Sequence, residues 1–253
     1  MANEQMQKEP VSVWLAESLR LTVFLTPGAV VGDSTWEDLV GKPPETSVRR
    51  PAYQDEGEFE DGRLTLATQP SRVDWLYAAD LRKIESGLPT VGSFPDAVSK
   101  FQQLMYRWLK ECPPITRIAF GAILLQPVGN RIEGYKRIVD YLPSVKLDGE
   151  NSSEFAYQIN RPRVSNNIDA LQINRLSKWS VMEMQRLQFV IPAEQVAIVQ
   201  PAAPGEKRSA CRLELDINTS PAFAGEFPKE KLFPVFDELI ALGKEIAERG
   251  DVQ

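Results

Sequence analysis

A chain of 253 residues with 43% hydrophobic and 25% charged residues has the composition of an ordinary globular protein, long enough for one large domain or two small ones. A net charge of −6 and a pI near 5.0 argue against broad nonspecific binding to nucleic acid, and the absence of histidine excludes Ser-His-Asp and Cys-His catalysis with nearly all zinc or non-haem iron chemistry. The two cysteines, Cys112 and Cys211, are too few for a disulfide framework or a thiolate zinc site, so reduced, buried thiols are expected.

No run of 18 apolar residues occurs, and the chain does not start with a basic, then apolar, then small-residue segment. A cytoplasmic protein without a membrane span is expected. Residues 1 to 12 are polar and read as a frayed end. From Glu17 to Leu25 the residues alternate and are rich in β-formers, which predicts a first strand ended by Thr26-Pro27-Gly28. Ser34-Thr35-Trp36-Glu37 has capping-box spacing and opens a short helix to Val40. Residues 42 to 62, with Pro, Gly and five acids between Asp55 and Asp61, read as a long solvated loop; the acids are out of register for a calcium-binding EF-hand.

Arg63 to Gln69 and Arg72 to Ala78 then read as two paired strands turning at Pro70-Ser71. Ser93-Phe94-Pro95-Asp96 is an N-terminal helix signal, and Phe94, Val98, Phe101, Met105 and Trp108 recur at helical spacing until Pro113-Pro114 ends the element. Ile115 to Pro127 is nearly continuously apolar, as a strand covered on both faces would be. Asn130-Arg131-Ile132-Glu133 caps a helix with its stripe at Ile132, Tyr135, Ile138, Val139 and Leu142, and Glu133 and Arg137 stand at pairing distance on its other side.

Between Tyr157 and Trp179 the tetrapeptide Gln-Ile-Asn-Arg occurs twice, separated by the turn-forming Val164-Ser165-Asn166-Asn167, and the segment reads as a hairpin. Trp179 to Ile191 fits neither strand nor helix firmly. A strand follows from Gln195 to Gln200, a turn over Pro201 to Gly205, an alternating strand over Ala210 to Asn218 with Leu213, Leu215 and Ile217 inward, and a final helix whose regular part begins near Pro234.

Residues 1–113 and 114–253 therefore share one order: strand, short helix, several strands, long helix. Strands joined by hairpins cannot wind a doubly parallel sheet. The prediction is an α+β fold of two tandem units that share one curved antiparallel sheet and core with long helices on one face. This element order resembles the TATA-binding-protein-like and helix-grip architectures, a likeness that concerns the fold alone.

Chemistry-bearing candidates are few. Residues 158 to 182 carry Arg161, Arg163, Arg175 and Lys178 against Asp169, a local reversal of the chain's acidic sign. Guanidinium groups match carboxylate and phosphate geometry, and Trp179 two steps beyond Ser177 could stack a base, so these five residues form a candidate anion or partner site. The plainer reading pairs the same charges with Asp169, Glu154 and other acids on a solvated face. Glu214 and Asp216, roughly 6.6 Å apart on one strand face, are candidates for magnesium or acid–base work, against the outward face of a half-exposed strand. Trp75, Trp108 and Trp179 suit the core, while Trp14 and Trp36 beside loops could line a pocket. No cofactor is expected.

Arg117-Ile118-Ala119-Phe120 in a strand before the Ile132 to Leu142 helix, with Leu213-Glu-Leu-Asp-Ile217 before a helix containing Asp237-Glu-Leu239, resembles a sporadically distributed family of uncharacterised prokaryotic proteins of about this length. The resemblance implies no activity; patchy distribution would suit an accessory role in mobile-element or defence loci. Two function classes follow. The first is a non-enzymatic interaction scaffold that binds another protein, or a second copy of itself, through its sheet face or long helices. The alternative is nucleotide or single-stranded nucleic-acid binding through the Arg-rich hairpin 157–179.

Overall fold

The computed structural model describes residues 13–32, 35–49, 53–84, 87–184, 187–190, 198–201, 208–223 and 225–251. In chain order, β1 (Leu15–Leu25) leads to α1 (Thr35–Val40), then β2 (Thr46–Val48), β3 (Tyr53–Phe59), β4 (Gly62–Gln69), β5 (Arg72–Ala79) and α2 (Phe94–Glu111). After Pro113-Pro114 come β6 (Ile115–Val128), α3 (Arg131–Tyr141), β7 (Ala156–Asn160), β8 (Arg163–Val164) and β9 (Gln172–Met184). The chain closes with β10 (Leu187–Val190), β11 (Ile198–Pro201), β12 (Arg208–Thr219) and α4 (Leu232–Arg249).

The fold is α+β, as the alternating strands and hairpin connections predict. One ten-stranded antiparallel sheet runs in the order β2-β3-β4-β5-β1-β6-β12-β9-β7, with β8 pairing β9 beside β7. β1 and β6, the first strands after each half begins, meet in the middle and pair from Leu15↔Leu125 to Leu25↔Ile115. Beyond β9 and β12 the chain continues as a separate two-stranded ribbon of β10 and β11. The segment that fits neither periodicity, Trp179 to Ile191, is thus strand at both of its described stretches. The Ser34 of the first capping box, and residues 195–197 and 202–205 of the expected strand and turn, lie outside the described residues.

All four α-helices pack on the same side of the sheet. Across β5, β1, β6, β12 and β9 the residues Tyr77, Leu19, Ala122, Leu215 and Ser177 stand opposite one another, and with their neighbours at alternate positions they form the face under the helices. Trp36 of α1 and Trp108 of α2 lie against Trp75 with ring centroids 6.1 and 6.0 Å away, and Phe120 of β6 meets Phe236 of α4 at 6.4 Å. At the other end Trp14, Tyr141 and Trp179 form a second aromatic group, with the Trp14 Nε1–H donating to Ala247 O at 2.9 Å. Trp14 and Trp36 are therefore core residues, 6% and 1% exposed. Buried residues of both halves form one continuous core.

The caps are where sequence chemistry places them. Ser93 Oγ accepts from Asp96 N at 3.3 Å, and Asn130 Oδ1 accepts from Glu133 N at 3.0 Å while Gly129 N donates to Glu133 Oε2. These bonds satisfy amides that have no partner inside the first turn of a helix.

Two expectations are corrected. Residues 42 to 62 do not form a solvated loop: they hold β2 and β3, which extend the sheet at its edge. The acids that suggested solvent are matched from neighbouring segments. Asp55, 1% exposed, accepts from Ser47 and from Arg49 at 2.7 Å; Glu56 and Glu45 share Arg63; and Glu58 pairs with Lys83. Likewise β6 is not sandwiched between layers. Its helix side is covered by α4, but its other side is buried by side chains of adjacent strands, as where Arg20 lies across Gly121.

Glycine is required where β4 begins. A Cβ at Gly62 would stand 2.3 Å from the Ala78 carbonyl oxygen and 2.7 Å from Val91 Cγ1, whereas one at Gly32 would meet nothing closer than 3.8 Å. Gly62→Ala should cost about 1–3 kcal/mol, as overpacking does, and Gly32→Ala should stay within about 0.5 kcal/mol. Urea denaturation of the two variants measures the contrast.

Candidate functional site

Strand parity divides the five hairpin candidates between two faces. Arg175 stands opposite Ile217 and Arg163 opposite Ile173, both on the helix side; Lys178 stands opposite Glu214 on the other. Trp179 returns to the helix side and is fully buried in the second aromatic group. Pro162, which cannot donate to a ladder, separates β7 from β8, and Arg161 N still reaches Arg175 O at 3.3 Å. The hairpin is real, and its arms pair with three of its four cations under the helix layer.

The C-terminal end of α4 meets those arginines with acids. Arg161 forms a two-pronged pair with Asp251, its Nη2 at 2.8 Å from Oδ2, and Tyr157 Oη donates to the same oxygen at 2.9 Å. Arg163 places both Nη atoms on Glu245, at 2.8 and 3.3 Å, and Arg175 Nη2 reaches Glu245 Oε2 at 3.3 Å. The Arg161 guanidinium, with Tyr157, holds the Asp251 carboxyl below the usual carboxylate range against the opposing effect of its burial. Burial, reinforced by Arg163 and Arg161, lowers the pKa of Arg175 against the pull of Glu245. Gly250 turns the chain here with φ +78°, and a Cβ would stand 2.0 Å from Tyr141 O. Asp251 N donates to that same carbonyl. The arrangement clamps the last turn of α4 onto β7, β8 and β9.

The opposite side of the sheet has no described α-helix over it; only Leu81, from a single 3-10 turn after β5, reaches its hollow. There a hollow of about 590 Å³ is lined by residues of six adjacent strands, β5, β1, β6, β12, β9 and β7, so the sheet dips across a width of roughly 24 Å at about 4.8 Å per strand. Leu76, Gly121, Ile123 and Leu176 make an apolar floor, and Glu17, Arg20, Lys178, Glu214 and Asp216 supply charge. Most of that charge is already committed. Glu214 takes Lys178 at 3.2 Å and also Arg212, and Asp216 accepts from Asn218 Nδ2 at 3.1 Å. Arg20 is the exception: it lies over Gly121, whose missing side chain makes room for the guanidinium, and it has no hydrogen-bond or ion-pair partner among the described residues. Glu17, beside the β1–β6 register shift, has Oε2 buried without a hydrogen bond, 3.8 Å from Arg212 Nε. Burial first, and Glu214 second, raise its pKa against the pull of Arg212.

Of the sequence candidates, Lys178, Glu214 and Asp216 line this hollow, whereas Arg161, Arg163, Arg175 and Trp179 belong to the other face. Glu214 and Asp216 share a strand face as the spacing predicts, and no cluster of three metal-ligating side chains occurs among the described residues. The two thiols are buried, which pushes Cys112 up to about 11 and Cys211 to about 12, far from the thiolate range a nucleophile needs. Glu17, Arg20 and Gly121 escape a sequence reading because their meeting depends on the β1–β6 register; the one local sign is a glycine inside an apolar strand.

No helix among the described residues is long and apolar enough to cross a membrane. No family model, curated protein or solved structure matches the chain.

The Asp251 clamp carries a pH signature. A carboxyl whose pKa is depressed on folding contributes stability above its unfolded value, about 3.9, and loses that contribution as pH falls through the folded value. Asp251→Asn should therefore melt below wild type at pH 6, with the gap narrowing as pH falls below about 4. Thermal denaturation from pH 6 to pH 3 checks this; a gap independent of pH would show that charge at Asp251 does not hold the clamp.

Proposed function

We propose that this chain is a non-enzymatic binding protein whose open sheet face takes up a segment of a partner polypeptide. The observation that carries the proposal is the hollow around Arg20: a cation without a described partner, over an apolar floor, on the broad face that no described α-helix covers. A segment suited to it combines apolar side chains for Leu76, Ile123 and Leu176 with an acid for Arg20 and a donor for Glu17 Oε2. A hollow that crosses six strands is long for a small metabolite and matches several residues of extended chain.

Three features favour recognition over catalysis. No histidine is available, the described thiols are buried, and the open-face carboxylates Glu214 and Asp216 are tied to neighbours. The hairpin arginines favour a structural role, because a nucleotide or single strand would compete with Glu245 and Asp251 for them. The strand order supports reading the chain as two related units, since on each side of the β1–β6 seam the first strand is flanked by the last, β5 or β12, with earlier strands further out. An accessory role in a mobile-element or defence locus rests on the family resemblance of the Arg117–Phe120 and Leu213–Ile217 segments.

Selecting a displayed peptide library on the immobilised full chain tests this reading. Mixed-charge peptides with apolar positions should be enriched. Arg20→Glu and Leu176→Lys should each weaken their binding at least tenfold, with the circular dichroism spectrum unchanged. Undiminished binding by both variants, or no enriched peptide, would remove the open face from consideration.

A further inference from the structure

Along the seam of β1 and β6 the open face carries a second cation outside the hollow. Arg117 stands opposite Phe24, four residues before Gly121 on β6 and on the side that Gly121 and Arg20 share. Its guanidinium carbon lies 4.5 Å from the centre of the Phe24 ring and its Nε donates to Thr219 O at 3.2 Å, but no acid pairs with it among the described residues. Arg20 and Arg117 are thus two partly exposed cations without described acid partners, about 13 Å apart along the seam at roughly 3.3 Å per residue. Between them the face is paved with small residues: Thr22 and Ala119 stand opposite each other, 3% and 7% exposed, and Gly121 follows. A chain lying over this stretch meets no large side chain.

The acids of the same face are matched from within it. Asp74 takes Thr22 and Arg72, Glu214 takes Lys178 and Arg212, and Asp216 takes Asn218. These carboxylates, in a chain of net charge −6, oppose a polyanion such as single-stranded nucleic acid. They leave the two arginines to acids that are placed singly.

We propose that the segment taken up by the open face is an extended acidic polypeptide lying along the β1–β6 seam, with carboxylates four residues apart on Arg20 and Arg117 and an apolar side chain midway between them over Thr22 and Ala119. This deepens the open-face reading and rests on it. In an extended chain residues i, i+2 and i+4 share one face, and i to i+4 spans about 13 Å, so the spacing of the acids reproduces that of the arginines. The segment leaves the hollow at Gly121 and ends against Phe24, whose ring is flanked by Arg117 and, at 5.8 Å, by Arg72.

The test selects two displayed peptide libraries on the immobilised full chain, both with random flanks, one around the core Glu-Thr-Val-Thr-Glu and the other around Gln-Thr-Val-Thr-Gln. The acidic library should be enriched at least tenfold over the amide one. Arg20→Gln and Arg117→Gln should each weaken an enriched acidic peptide about tenfold, the effect of one lost charge-assisted hydrogen bond, and the double variant should bind that peptide and its amide analogue equally. Arg117→Lys keeps the charge and should retain the preference for the acidic core. Equal enrichment of the two libraries, or weakening by Arg20→Gln alone, overturns the acidic assignment and leaves the open face as a binding surface; no enrichment from these or from a fully random library removes both. Tighter binding of an oligothymidylate than of the enriched peptide gives the arginines to nucleic acid and overturns the assignment as well.

Discussion

A ten-stranded sheet with its four α-helices on one side sets the terms for the rest of the molecule. One face must be apolar enough to bury against α1 to α4, and the alternation of strand side chains then delivers the remaining residues to the other face whatever their chemistry. Polar residues suit that face at its margins. At its centre, where β1, β6 and β12 are flanked on both sides, even the open face is crowded, and Ala119, Gly121 and Leu125 are buried by their neighbours. The hollow around Arg20 is what remains where small residues meet a dip in the sheet.

Charge follows the same division. On the helix side the ion pairs of Arg161, Arg163 and Arg175 join the hairpin to Glu245 of α4 and to Asp251 just beyond it, so these pairs fix how the last helix seats. In these pairs the Asp251 and Arg175 side chains are buried, so removing the partner of either strands a buried charge. On the open side the pairs are half-exposed and lie along or between neighbouring strands, Lys178 and Arg212 with Glu214 and Arg72 with Asp74. Those are worth less and rearrange more easily. The hollow thus holds one committed network and, among the described residues, one cation without a partner in Arg20.

Much of the fold was legible in the sequence because alternation and helical spacing are local signals. β1, β4, β5, β12 and α2 lie within a few residues of where their patterns place them. β3 was not legible: its acids are stabilised by Ser47, Arg49, Arg63 and Lys83, and only Ser47 and Arg49 lie in the segment read as loop. The hairpin candidates show the intermediate case. Parity along β9 was enough to put Arg175 and Trp179 on one face and Lys178 on the other, yet which of those faces lies under helices depends on contacts with α4 and α3, more than 60 and about 40 residues away. The hollow needed still more, since its lining converges from six strands.

The doubled Gln-Ile-Asn-Arg shows how one pattern serves both faces. In each copy the Ile and Arg point to the helices and the Gln and Asn to the open side, because the copies lie on antiparallel strands with matching parity. The arginines then reach Glu245 of α4 and Asp251 just beyond it, and the asparagines meet each other: Asn160 Nδ2 donates to Asn174 Oδ1, Asn174 to Asn218 and Asn218 to Asp216, each at 3.1 Å, in a row across β7, β9 and β12. Amide side chains carry a donor and an acceptor on one plane, so such a row can continue from strand to strand without charge. Repetition here makes two strands complementary to one another on both sides at once, and the row ends at Asp216, on the rim of the hollow.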